Sequence, residues 1–241
     1  MLHYNKGCDK ILTKQINAPQ GAAKQVKSEI NRRSIMTKQQ MIEKIKETKV
    51  VPVVVFNSIE EVMPKMTALV KGGLPCAEIT FRTECAAEAI KLAATNFPEA
   101  LIGAGTVINK NQCEQAIVAG AKFIVSPGFS EEVADCCAEH EMLYLPGIVT
   151  PTEAMAAIAK GLTTLKFFPA SNYGGLKTIK AICAAFPYLK IMPTGGISAD
   201  NILEYLAYDK ILACGGSWMM KGTPEEIEAQ TRQVVELVKN A

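Results

Sequence analysis

The sequence predicts an α/β protein folded as a single (β/α)8, or TIM, barrel. Three observations predict this fold: short apolar runs alternate with amphipathic stretches from Val50 onward, there are eight such runs, and 241 residues is the usual length of one such barrel. The eight predicted strands span residues 50–56, 76–81, 101–105, 122–126, 142–146, 163–168, 190–194 and 211–215. Because strands alternate with helices, we expect parallel pairing through right-handed crossovers.

Helix starts carry clear capping signals. Residues 37–40 resemble a capping box that opens a helix to about Lys46, which we expect to cap the bottom of the barrel. Further boxes are predicted at residues 58–61, 150–153 and 223–226, the last two with proline at the first helical position. The alternative is an open doubly wound sheet. The count of eight strands and the lack of G-x-G-x-x-G after the first strand favour the barrel.

The first 35 residues differ from the rest of the chain. They show little apolar periodicity, and we predict that residues 1–35 are a flexible N-terminal extension or leader and that residues 36–241 form the barrel. Met36 is a candidate for the original start. The polar segment at the amino end has no apolar core, so it does not predict a secretory signal.

Composition narrows the classes of function. The net charge is +2, from 26 basic and 24 acidic residues, so we expect neither a nucleic acid nor a membrane as partner. No uninterrupted apolar run reaches the ~18 residues of a membrane span. Eight cysteines without a C-x-x-C pair indicate reduced thiols in a cytoplasmic protein. The two histidines, His3 and His140, are too few for a His-rich metal site, so we expect no metal and no cofactor.

Charged side chains lie on the inner face of the second predicted strand. Glu78, Thr80 and Arg82 alternate with apolar residues and so share one face. Apolar residues belong toward the helices, so the charged face points into the barrel. A carboxylate and a guanidinium are costly there unless they are paired or functional. The structural alternative is a buried ion pair that only closes the barrel.

A lysine lies in the middle of the sixth predicted strand. Lys166 stands between Leu165 and Phe167, and it shares a face with Phe168. Lysine is seldom fully buried, and desolvation favours the neutral amine, which is the nucleophilic form. The alternatives are an edge lysine that reaches solvent, or a partner for Glu78 alone.

Small residues end three of the predicted strands. The third ends in a Gly-Ala-Gly run before Thr106, which suits close approach of a ligand or a plain tight turn. The seventh ends in Thr194-Gly195-Gly196, and the eighth in Gly215-Gly216-Ser217. Loops after strands seven and eight are the usual phosphate site of these barrels, so two glycine pairs there predict phosphate binding.

Together these residues predict a chemistry. A lysine forms an imine that acts as an electron sink, a glutamate moves protons, an arginine holds a carboxylate, and a glycine cradle anchors phosphate. That set suits aldol cleavage of a phosphorylated 2-keto acid by the Schiff-base route, with a small 2-keto acid as the substrate.

At these positions the chain resembles the 2-keto-3-deoxy-6-phosphogluconate (KDPG) and 2-keto-4-hydroxyglutarate (KHG) aldolase family. Six segments carry the resemblance, in family order: residues 78–85, 103–107, 126–128, 166–170, 193–198 and 215–218. They cover about residues 40–241, and no motif position departs from the family pattern. The loop at residues 170–173 is a local difference that bears on substrate preference.

The resemblance implies a role for each matched residue. Lys166 would be the Schiff-base lysine and Glu78 the proton-transferring carboxylate. The residues implied in substrate binding are Arg82 and Thr106 at the pyruvate part, Pro127 and Phe168 in the pocket lining, and Thr194, Gly195, Gly196 and Ser217 toward the phosphate. It also implies a cytoplasmic, metal-free homotrimer that yields pyruvate plus glyceraldehyde 3-phosphate, or pyruvate plus glyoxylate.

Two other readings make different predictions. A sugar-phosphate epimerase on the same barrel would share the glycine pairs, but it would not need an inward lysine and often uses metal-binding His and Asp. A non-catalytic binding or assembly protein on this barrel would predict a damaged site, whereas Glu78, Arg82 and Lys166 are all present.

Overall fold

The computed structural model describes residues 36–241, of which Lys38–Ala241 form one compact unit. The strands are β1 (Val50–Val54), β2 (Cys76–Thr80), β3 (Leu101–Gly105), β4 (Phe123–Val125), β5 (Leu143–Leu145), β6 (Gly147–Ile148), β7 (Thr164–Phe167), β8 (Lys190–Pro193) and β9 (Cys214–Gly216). The helices are α1 (Lys38–Thr48), α2 (Val62–Lys71), α3 (Ala86–Asn96), α4 (Lys110–Val118), α5 (Glu131–Glu139), α6 (Pro151–Ala159), α7 (Gly175–Ala185), α8 (Ile202–Leu206) and α9 (Pro224–Val238). The predicted extension at residues 1–35 lies outside the described residues.

The strands pair in parallel in two sheets. One is a curled six-stranded sheet in the order β5-β4-β3-β2-β1-β9, and the other is a three-stranded sheet in the order β6-β7-β8. Two isolated parallel bridges, Ile191 with Ile211 and Thr194 with Gly215, join the region of β8 to that of β9. The predicted α/β fold with parallel strands is therefore confirmed.

Two predicted strands need correction. The fifth, at residues 142–146, is divided at Pro146 into β5, which pairs with β4, and β6, which pairs with β7. The eighth, predicted at residues 211–215, is shorter and begins three residues later, as β9 at Cys214–Gly216. Ile211 makes only a single bridge to Ile191, so the segment before Cys214 does not form a continuous ladder.

The core lies between the sheet and its helices. On β2, Ala77 and Ile79 belong to the apolar cluster that includes Ile90 of α3 and Ile102 of β3, while Glu78 is buried on the opposite face. Because successive strand residues alternate faces, one strand supplies both the core and a polar interior. The predicted orientation of Ala77, Glu78 and Ile79 is thus confirmed.

Helix capping follows the sequence at two of three later sites. Thr150 and Thr223 each make a full capping box with the glutamate three residues on. The box predicted at Ser58 is wrong: its side chain makes no capping hydrogen bond, and a 3-10 turn at Ile59–Glu61 precedes α2. The Glu61 carboxylate instead lies 2.8 Å from Lys65 Nζ on α2.

The amino-terminal helix matches its prediction. It spans Lys38–Thr48, buries Met41 and Ile45, and leads through Lys49 into the amino end of β1. Among the described residues, none of the helices has the length and apolarity needed to cross a bilayer. The seven cysteines within the described range are all free thiols.

Candidate active site

A buried ion pair joins the two sheets. Lys166 on β7 donates from Nζ to Glu78 Oε1 on β2 at 3.1 Å, and the side chains are 4% and 0% exposed. Glu78 is the third residue of β2 and Lys166 the third residue of β7, and every residue of both strands is buried. Two charges held this far from water are costly unless each stabilises the other, which the direct contact achieves.

The second carboxylate oxygen of Glu78 is available to accept a proton or a hydrogen bond from a substrate. Glu78 Oε2 is fully buried and has no hydrogen-bond partner among the described residues. An unsatisfied buried acceptor carries a desolvation cost, which a proton or a polar substrate group would relieve. The centre of the Phe168 ring lies 5.1 Å from Lys166 Nζ.

Gly105 makes room for the carboxylate. A Cβ atom built at Gly105 would meet Glu78 Oε1, and it would lie 2.6 Å from Glu78 Cγ. The sequence predicts close approach of a ligand or a tight turn at this position. The structure shows another reason for glycine: a larger residue would collide with the Glu78 side chain. The register pairs Glu78 with Gly103, and the Glu78 side chain extends from there along β3 to Gly105, two residues further on.

Arg82 follows β2 and contacts the loop after β3. Its Nε donates to Thr106 Oγ1 at 3.2 Å, across from β2 to the loop after β3. Arg82 is exposed and lies two residues beyond Thr80, the last residue of β2, so its position on the inward face stays a prediction. Thr80 is buried and donates to the Val54 carbonyl at 3.1 Å, so its hydroxyl serves strand pairing.

Pro127 and Phe168 are both half-buried at strand ends, after β4 and β7. A Cβ at Gly147 of β6 would meet the Pro127 carbonyl, so these backbones are in close contact. The Phe168–Pro169 peptide is cis. Phe168 is the only one of the two with a described contact to the ion pair.

A second polar region, referred to as the polar corner, follows β8 and consists of Thr194, Gly195 and Gly196. Thr194 is buried, and its Oγ1 has no partner among the described residues. Gly195 and Gly196 have φ values of 92° and 77°, a left-handed conformation that favours glycine. A Cβ at Gly196 would collide with the Ser171 side chain.

Ser217 lies beside this corner. It follows β9 directly and is exposed, and the bridge between Thr194 and Gly215 brings the ends of β8 and β9 together. Thr194, Gly195, Gly196 and Ser217 therefore lie at the carboxyl ends of two adjacent strands. The sequence does not predict that Ser171 contacts Gly196. Its only indication of this loop is the local difference from the family at residues 170–173.

Within residues 36–241, no cluster of three or more His, Cys, Asp or Glu side chains is arranged to hold a metal ion. The groups that the described site offers are an amine, a carboxylate, a guanidinium, hydroxyls and glycine N–H groups. Such a set can form an imine, move protons and bind anions.

Comparison with known proteins gives the class. A family model described as KDPG and KHG aldolase matches residues 41–236. The 2-dehydro-3-deoxy-phosphogluconate aldolase of Haemophilus influenzae is 41% identical over 209 residues, covering 84% of this chain and 99% of that protein. The KHG/KDPG aldolase of Escherichia coli K12 is 41% identical over 196 residues, covering 79% of this chain and 92% of that protein.

A solved structure adds chemistry to this similarity. The crystal structure of KDPG aldolase from Legionella pneumophila, with pyruvate captured as a covalent carbinolamine intermediate, has a TM-score of 0.78 and 34% identity. It covers 83% of this chain and 98% of that one. All of these similarities are to aldolases. The chain belongs to the KDPG and KHG aldolase family.

Proposed function

We propose that this protein is a class I aldolase. It cleaves 2-keto-3-deoxy-6-phosphogluconate to pyruvate and glyceraldehyde 3-phosphate, 4-hydroxy-2-oxoglutarate to pyruvate and glyoxylate, or both. The observation that carries the proposal is the buried pair of Lys166 and Glu78, 3.1 Å apart. The names of the relatives in Haemophilus influenzae and Escherichia coli support these two substrates.

Lys166 is the nucleophile in this proposal. Glu78 takes a proton from the ammonium, and the neutral amine adds to the C2 carbonyl of the substrate to give a carbinolamine. Loss of water then gives a protonated imine. Breaking the C3–C4 bond sends its electron pair into that imine, while a base removes the C4 hydroxyl proton and the aldehyde departs. The carbinolamine captured with pyruvate in the Legionella relative supports this route.

Glu78 is the acid–base group. Its Oε1 touches Lys166 Nζ, and the free Oε2 is a buried acceptor beside the reacting amine. One carboxylate can therefore protonate the carbinolamine hydroxyl so that it leaves as water, accept the C4 hydroxyl proton and return a proton to C3 of the enamine. Hydrolysis of the resulting imine releases pyruvate and restores the lysine.

Arg82 and Thr106 bind the carboxylate of the pyruvate part, and Pro127 and Phe168 line the pocket. The contact from Arg82 Nε to Thr106 Oγ1 leaves the remaining guanidinium donors free for a carboxylate. Phe168 packs near the amine, which supports a dry environment around the imine.

The phosphate binds at Gly195, Gly196 and Ser217, and the buried hydroxyl of Thr194 lies next to Gly195 in the chain. Left-handed glycines expose backbone N–H groups without a side chain in the way, and Ser217 adds a hydroxyl. Thr194 Oγ1 is buried without a described partner and supplies one further polar contact to the substrate.

We also infer that the two sheets form one (β/α)8 barrel. β5 and β6 count as one strand interrupted at Pro146, and the two bridges between the regions of β8 and β9 support closure. Helix α1, which ends just before the amino end of β1, then caps the bottom. In this scheme residues 36–241 are the aldolase domain and residues 1–35 are an extension.

The proposal includes a metal-free cytoplasmic homotrimer. The imine is itself the electron sink, so the reaction needs no Lewis acid, and the described residues offer no clustered ligand set. Light scattering of the purified protein tests the trimer directly.

A coupled assay tests the function. Pyruvate released from each substrate is followed with lactate dehydrogenase, before and after treatment with a chelator. We expect turnover of at least one substrate, with the same rate after chelation. No pyruvate from either substrate, or activity lost with the metal, would contradict the proposal.

A further inference from the structure

A chain of buried hydroxyl groups connects β5 to the loop that carries Thr106. The Tyr144 hydroxyl donates to Ser126 Oγ at 2.9 Å, and Ser126 Oγ donates to the Val107 carbonyl at 2.5 Å. All three residues are buried. Burial raises the pKa of Tyr144 to about 12, so the phenol keeps its proton and remains a donor at neutral pH.

The loop held by this chain has an unfavourable backbone conformation. Thr106 has a φ of 56°, which is uncommon for any residue except glycine and is an outlier for a β-branched one. Such a conformation persists only where the surroundings impose it. The next residue, Val107, is held on both sides: its N–H donates to the Val125 carbonyl at 3.2 Å, and its carbonyl accepts from Ser126.

The same tyrosine also reaches the loop that follows β4. The Ser130 backbone N–H donates to the Tyr144 hydroxyl at 3.4 Å. Ser126 and Ser130 lie on either side of Pro127, so one hydroxyl contacts both ends of the segment that contains it. Tyr144 therefore contacts the segment after β4 directly and reaches the loop after β3 through Ser126.

We propose that Ser126 and Tyr144 are positioning residues for substrate binding. By fixing the Val107 carbonyl, one residue after Thr106, they hold this loop so that Thr106 keeps its left-handed conformation, with its hydroxyl 3.2 Å from Arg82 Nε. They act through Thr106 and Arg82 and touch no substrate atom. This inference rests on the proposed function, because it takes Arg82 and Thr106 as the carboxylate site.

The two hydroxyl groups have unequal effects. Ser126→Ala removes the direct donor to the Val107 carbonyl and also leaves the Tyr144 hydroxyl without its acceptor. Tyr144→Phe keeps the ring and leaves the bond from Ser126 to Val107 in place. We therefore expect Ser126→Ala to raise KM for the keto acid about tenfold and Tyr144→Phe about threefold, with kcat within twofold of the parent.

Because Tyr144 reaches the Val107 carbonyl only through Ser126, we expect the two substitutions not to be additive in the double variant Ser126→Ala/Tyr144→Phe. It should raise KM no further than Ser126→Ala alone, which a double-mutant cycle measures as coupling between the two residues. Tyr208→Phe is the matched control. This half-buried tyrosine precedes β9 at the opposite end of the strands, and its loss should leave both constants unchanged.

The experiment is steady-state kinetics of the full chain, with melting temperatures of every variant measured alongside. A raised KM at constant kcat, with coupling in the double variant, supports the positioning role. A lowered melting temperature with unchanged KM would show a purely structural role and overturn it, as would additive effects in the double variant. Failure of the parent protein to turn over either substrate would instead contradict the proposed function.

Discussion

In the proposed mechanism, the nucleophile Lys166 and the acid–base group Glu78 form a single buried ion pair. Removing one member of a buried pair typically costs about 3–5 kcal/mol, because the other charge is left without compensation. Neutral isosteres are therefore better probes than truncations. Glu78→Gln keeps the shape of the side chain while it removes the charge and the basic oxygen.

For Glu78→Gln we expect the imine with pyruvate still to form, at a lower rate because Glu78 assists that step, while proton exchange at the pyruvate methyl group slows. A positioned acid–base group contributes ~10²–10⁴-fold, so the exchange rate should fall by that factor. Loss of pyruvate methyl proton signal in deuterated buffer, followed by NMR, measures it. Exchange at the parental rate would remove Glu78 from the proton-transfer role.

Gly105 should be intolerant of even one methyl group. A Cβ there would occupy the space of the Glu78 carboxylate, so Gly105→Ala should displace that carboxylate and destabilise the fold by about 1–3 kcal/mol. Turnover should fall with it. The comparison is Gly128→Ala, since a Cβ at Gly128 meets nothing within 4 Å, and its free energy of unfolding should match the parent. Equal stability of both variants would refute this account of Gly105.

At the scale of elements, the loops after β8 and β9 should act as a unit in phosphate binding. Ser217→Ala removes one hydroxyl from a cradle built mainly of backbone N–H groups, so it should weaken use of the phosphorylated substrate by about 1.5–3 kcal/mol. Gly196→Val should do more, because a side chain there collides with Ser171 and the φ of 77° is unsuited to a β-branched residue.

The unphosphorylated substrate is the control for these two variants. Values of kcat/KM for 4-hydroxy-2-oxoglutarate should stay near those of the parent, since that substrate carries no phosphate. If both substrates lose rate equally, the glycines serve the fold and the phosphate assignment fails.

The elements show where sequence reasoning succeeds and where it stops. Alternation along β2 correctly separates Ala77 and Ile79 from Glu78, because strand periodicity is a local property. Local signals also identify the caps at Thr150 and Thr223. At Ser58 the same signal fails: Ser58 makes no capping hydrogen bond, and Glu61 lies against Lys65. The contact of Arg82 with Thr106 joins residues 24 positions apart, which a local pattern does not predict.

The site itself shows the same limit. From the sequence alone, Gly105 indicates a turn or a ligand contact. Only the pairing of β2 with β3 shows that the absence of a side chain at Gly105 leaves room for the Glu78 carboxylate. Likewise, the hydroxyl chain from Tyr144 to Val107 joins three elements distant in sequence. Contacts of this kind depend on tertiary packing and leave no local pattern.

At the scale of the whole molecule, residues 36–241 should be sufficient for folding and catalysis. The family match begins at residue 41, and the composition of residues 1–35 does not supply a core. A chain beginning at Met36 should keep its melting temperature and kcat/KM within experimental error. A clear loss of folded protein on truncation would show that the amino-terminal segment stabilises the domain.

The account depends most on the identity of the imine-forming lysine. Incubation of the whole protein with pyruvate and borohydride, followed by peptide mass analysis, should place the reduced adduct on Lys166 alone. Lys166→Ala should yield no adduct and no turnover, while Lys160→Ala, which removes a lysine paired with Glu131 and Asp135 on the surface, should be labelled like the parent. An adduct on another lysine, or turnover without any adduct, would contradict the mechanism.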